Sequence, residues 1–143
     1  MRIDLGPTLD ALRAQLLAQV DADAEAARLR WITPGMGQML EYQATEAEAR
    51  AYLAAGCPAF DPAAHPFLAA DRQAMMAAGA DLPDAATVAH AVIAAADAWR
   101  AAAAEIKRLR RAAKLGIAGA TSVAQARAAA LVAWPSPDHP PAG

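Results

Sequence analysis

Between Pro83 and Gly119 the residues Val88, Val92, Ala95, Trp99, Ala102, Ile106, Leu109 and Ala113 recur at alternating steps of four and three. A seven-residue apolar repeat of this kind is the seam of a helix that lies along another helix. A helix from Asp84 to Leu115 is about 48 Å long at about 1.5 Å rise per residue. No other segment is as long or as regular, so this spine limits the chain to an all-α fold in which other helices cover its seam. As a seam residue of the longest helix, Trp99 is expected to be buried.

The remaining segments supply those helices. Gly6-Pro7 breaks the chain, and Thr8 or Asp10 can cap a first helix running to about Trp31. Its apolar stripe is Leu9, Leu12, Leu16, Val20, Ala24, Ala27 and Trp31, a mean step near that of a straight helix. After Pro34-Gly35 a second helix runs from about Met36 to Ala55, with Met39, Tyr42, Ala49 and Leu53 as its stripe. Glu46 precedes Arg50 by four residues, the favourable order for a helical ion pair. Gly56 is suited to end that helix. In the following loop Phe60 and Phe67 are expected to seek burial. A short helix runs from Pro66 to Ala78, and Asp84 or Thr87 caps the spine. Gly116 and Gly119 end or loosen it. Ser122-Val-Ala-Gln125 is a capping-box pattern that opens a last helix to about Val132. The fold class expected is therefore all-α with four to five helices, the long spine of the C-terminal half packed on an N-terminal helical pair. Residues 1–134 read as a single helical domain and 135–143 as a Pro-rich tail, either flexible or an extended arm held by a partner.

Composition narrows the chemistry. Of the 143 residues 57 % are hydrophobic but only 5 % aromatic, because alanine dominates. Alanine favours helix and fills cores poorly, so stability rests on few large side chains. The single Cys57 forbids an intrachain disulfide and, lacking a basic neighbour, reads as a packed thiol. Arg2, Asp4, Asp10 and Arg13 interrupt any leader-like apolar run, and no run is long enough to span a membrane. His65, His90 and His139 stand far apart without carboxylates or cysteines at ligand spacing, and His90 reads as a polar edge of the spine. There is no Asn, no nucleophile elbow and no phosphate loop, and Gly35-Met36-Gly37 is too short for a dinucleotide site. Neither an enzyme nor a cofactor or metal is expected.

Charge is distributed unevenly. Residues 1–72 hold ten acids and six bases, and residues 73–143 five acids and seven bases, a polarity that favours head-to-tail contact between copies. Lys107, Arg108, Arg110, Arg111 and Lys114 place five cations in eight residues. They read as a solvated face near a helix C-terminus, where the dipole favours cations, or as a contact for phosphate or an acidic partner. No aromatic interleaves them, so base stacking is not suggested, and a nucleic-acid contact through the cluster stands as a third reading behind the protein-partner ones. The first helix, with Leu5 and Leu17 beside its stripe, is wider on its apolar side than one partner helix needs. Leu5, Leu9, Leu12, Leu16 and Val20 are therefore candidates for contact with other copies or a particle protein, the alternative being that they pack inside their own subunit.

From Trp31 to Ala49 the chain reads Trp-Ile-Thr-Pro-Gly-Met-Gly-Gln-Met-Leu-Glu-Tyr-Gln-Ala-Thr-Glu-Ala-Glu-Ala. Pro66-Phe67-Leu68 with Asp71, then Trp99, then Ile106-Lys107-x-x-Arg110-Arg111-x-x-Lys114-x-x-Ile117-x-x-Ala120 follow. Over about residues 20–134 this resembles small helical proteins, and C-terminal segments of larger ones, encoded among the tail and fibre genes of double-stranded DNA phages and phage-like gene transfer agents. Thr45 stands where that group has Lys, and Lys107 where it has Glu. The resemblance implies a virion or phage-like particle, with synthesis in the host cytoplasm and no catalytic residues. It implies a structural component, an adaptor or base seating a fibre or spike on head or tail, working as a homo-oligomer with fibre, spike, capsid or tail subunits. The alternative is a fibre-assembly chaperone absent from the finished particle. Lys107, Arg108 and Arg111 join the leucine stripe as expected partner contacts.

Overall fold

A computed structural model describes residues 6–79 and 81–142. It is all-helical: α1 (Leu9–Leu29), α2 (Met36–Ala54), α3 (Pro66–Ala77), α4 (Ala85–Gly119) and α5 (Val123–Ala129), with no strand among the described residues. The long α4 packs against N-terminal helices through two compact units, Met1–Ile32 with Ala101–Gly143, and Thr33–Arg100.

In the first unit α1 runs antiparallel to the C-terminal part of α4, and its stripe forms three layers. Leu12 packs with Ala120 and Ala126, Val20 with Ala113 and Ile117, and Ala24 and Ala27 with Ile106. Thr8 caps α1 by accepting from the Ala11 N–H. Close approach of α5 to α4 depends on Gly116, where an added Cβ would stand 3.0 Å from the Ala129 Cβ. Ser122 caps α5 by accepting from the Gln125 N–H at 3.2 Å. The Arg13 guanidinium donates to the Ala120 carbonyl at the end of α4, where the backbone has no helical donor left. The first residues of the tail make contacts within the chain. Pro135 is buried and its carbonyl accepts from Trp31 Nε1 at 3.4 Å, while Ser136 and His139 exchange backbone hydrogen bonds across a turn.

In the second unit α2 and α3 close on the start of α4, burying Ala49, Tyr52, Leu68, Ala85, Val88 and Ala89. Asp84 caps α4 by accepting from the Thr87 N–H. Gly56 ends α2 at φ 81°, with Gly56 N–H bonding Leu53 O and Cys57 N–H bonding Tyr52 O, the paired bonds of a Schellman cap. Glu48 of α2 caps α3, its carboxylate accepting from the Phe67 and Leu68 N–H groups at 3.3 and 2.8 Å.

Four expectations about packing are corrected. Trp99 is half-exposed, because the turn of α2 beside it presents Glu46 and Arg50, which pair with Arg100 and Asp97 rather than offering apolar cover. Met39 and Tyr42 of the expected α2 stripe are exposed, and Tyr52 takes the core place instead, its hydroxyl donating to Pro58 O at 3.0 Å. Phe67 is exposed while its neighbour Leu68 is fully buried, since the Glu48 cap fixes the first turn of α3 with Leu68 inward. Cys57 is exposed, at φ 56°, because it follows the glycine of the cap and is carried out of the core by it.

Candidate functional site

Most of the described part of the α1 stripe packs within its own unit. Leu12 and Val20 are 3 % and 2 % exposed, and Leu9 and Leu16 are half-buried in the same layers against α4 and α5. Part of this face is covered by α5 and by Val132 and Trp134 beyond it, cover that periodicity within α1 alone could not reveal, while Leu17 also lines an open cleft. Leu5 lies outside the described residues.

Apolar surface stands open elsewhere. Gly35, at φ 129°, starts α2 without a side-chain cap, and the first two turns carry Met36, Met39, Leu40 and Tyr42, all exposed, Met36 at 82 % and Leu40 at 60 %. Single exposed apolar side chains are ordinary, whereas four within seven residues form a patch of the kind that marks a partner surface. These residues belong to the Trp31–Ala49 stretch that carries the sequence resemblance. Sequence reasoning assigned Met39 and Tyr42 to the core, and their density on one short segment was the signal for the surface.

The basic cluster divides into paired and unpaired cations. Arg110 Nε and Lys114 Nζ hold Asp21 of α1 at 2.6 and 2.9 Å. Hydrogen bonds from Lys114 and then Arg110 keep the Asp21 carboxyl below its ordinary range. Arg108 pairs with Glu105 at 2.6 Å, which lowers the Glu105 carboxyl and raises the guanidinium. Lys107 and Arg111 are exposed and enter no ion pair among the described residues. With Leu115 they follow one another at four-residue steps, so they share one stripe of α4. A cleft of about 320 Å³ lies there, lined by Leu17, Arg110, Arg111, Lys114, Leu115 and Ala118. Its leucines and cations suit an apolar group carrying a negative charge. Lys107, Arg108 and Arg111 are thus at the surface, and only Arg111 of the three lines the cleft.

In the other unit His65 lies edge-on to Tyr52 at 5.6 Å and stacked on Phe60 at 5.9 Å, and the Arg72 guanidinium covers Phe60 at 4.5 Å. Glu46 is held by Arg100 and Arg50, which keep its carboxyl below the ordinary range. Asp71 moves the other way, pushed up by burial and by the nearby Glu48 charge. Among the described residues no three His, Cys, Asp or Glu side chains converge as a metal site, and no helix is long and apolar enough to cross a membrane. No family model matches the chain, and neither curated proteins nor solved structures give a match.

Proposed function

We propose that the protein is a non-enzymatic structural component of a phage-like particle, a phage or a gene transfer agent, acting as an adaptor that seats a fibre or spike on head or tail. The exposed apolar start of α2 carries this reading. Met36, Leu40 and Tyr42 stand in water on the segment whose sequence resembles the tail and fibre group. An adaptor needs a rigid body and a sticky surface more than it needs a pocket with convergent polar groups. Each of the two units has its own packed core, and the start of α2 supplies the sticky surface. Quantitative mass spectrometry of purified particles tests the reading. A fixed copy number per particle supports it. Absence from particles whose fibres nonetheless fail to assemble without the protein replaces it with an assembly chaperone.

A further inference from the structure

We infer that the cleft beside Arg111 receives the start of α2 from a second copy of this chain, giving a head-to-tail contact in which Leu40 meets Leu17 and Leu115 while Glu41 pairs with Arg111. This deepens the assembly part of the function proposed above and does not depend on its particle part.

Charge and shape both select this occupant. The stretches Met1–Ile32 and Ala101–Gly143 hold ten Lys and Arg against seven Asp and Glu, whereas Thr33–Arg100 holds three against eight, so the two units carry +3 and −5. Opposite fields of this size on one chain attract copies to each other in a head-to-tail sense. The cleft side offers two leucines and the unpaired Arg111, flanked along the same stripe by the unpaired Lys107. On the other side, Met36 and Leu40 are one helical turn apart on one face, and the exposed Glu41, beside Leu40, enters no ion pair among the described residues. Each surface leaves apolar area in water together with unanswered charge, and the charges are opposite. A duplex nucleic acid would answer Lys107 and Arg111 but leave Leu17 and Leu115 without an apolar partner. Because the two surfaces differ, the contact is heterologous and repeats from copy to copy, closing into a ring or extending as a chain.

Sedimentation velocity of the isolated full chain, over a range of concentrations and at low and raised salt, tests the inference, with circular dichroism checking that every variant stays helical. Wild type is expected to associate reversibly and more weakly as salt rises. Arg111→Glu and Glu41→Arg, each at an exposed position, are each expected to raise the dissociation constant at least about tenfold, and the double swap to restore it. Leu115→Glu is expected to abolish association by an independent route. A wild type that is monomeric throughout overturns the inference. So does association that Arg111→Glu leaves unchanged, a double swap that fails to restore it, or a duplex oligonucleotide that binds more tightly than a second copy does. A protein that self-associates as described yet is missing from particles refutes the proposed function while leaving this contact standing.

Discussion

Ile117→Ala and Leu115→Ala form a matched pair that tests the seam of α4. The side chains are isomers two residues apart on one helix, and both changes leave the best helix former. Ile117 is fully buried between Val20, Ala113 and the α5 side, where its removal leaves a space that the Ala129 and Ala130 turn cannot close without shifting α5. Loss of transfer energy plus an unfilled cavity costs about 2–5 kcal/mol for such a change. Taking about 3 kcal/mol, the midpoint of thermal unfolding falls by roughly 10 °C. Leu115 is 67 % exposed and lines the cleft, so its truncation is expected to move stability by less than about 0.5 kcal/mol. Trp31 and Trp134, which border the neighbouring layer, supply a fluorescence probe of that unit during urea or thermal unfolding. Equal effects of the two substitutions, or a larger effect at Leu115, would refute the assignment of the seam.

Tyr52→Phe is expected to cost about 1 kcal/mol in urea unfolding, through loss of the bond to Pro58 O with little change in packing. Gly56→Ala is expected to destabilise by about 1 kcal/mol, because its φ of 81° suits glycine and the cap bonds depend on it. Trp99→Ala is expected to cost about 1–2 kcal/mol, below the range for a fully buried tryptophan, since the ring is half in water. Asp21, Glu46 and Glu105 have folded pKa values below their ordinary 3.8, 4.5 and 4.5. Their contribution is present above those ordinary values and is lost as pH falls through the depressed folded ones. Asp71 has the opposite sign, contributing most below 3.8 and opposing folding as pH rises through its raised value. Asp71→Asn is therefore expected to be neutral or stabilising at pH 7 and to steepen the acid limb of a melting-versus-pH profile, because it removes a group that gains stability as pH falls.

The long helical run of α4, the four-residue steps of α1, and the caps at Gly56 and Ser122, with Thr8 and Asp84 each among two candidates, could be read from residue order because each is a local rule. The partner of each face could not. Around α2 the alanines at 44, 47, 49, 51 and 54 blur the contrast between faces, so residue order does not tell which tyrosine points inward, and the expected stripe includes Tyr42, which is exposed. What turns Tyr52 inward is the distant chain, with Leu68 and Val88 beside the ring and Pro58 O on its hydroxyl. Tertiary cover is likewise not legible within α1, where α5 and Trp134 pack over part of the leucine face. Of the five cations of α4, residue order gave the cluster but not that Asp21, some ninety residues earlier, claims two of them and leaves Arg111 open.

The most direct test of the account concerns the surface it holds responsible for assembly. Met36→Glu with Leu40→Glu alters only exposed positions at the start of α2, so the isolated variant is expected to melt within about 2 °C of wild type. Its copy number in purified particles, measured by mass spectrometry against wild type, is expected to fall by at least about tenfold, as burying two new carboxylates in an interface would require. Incorporation at the wild-type copy number by this folded variant would contradict the account.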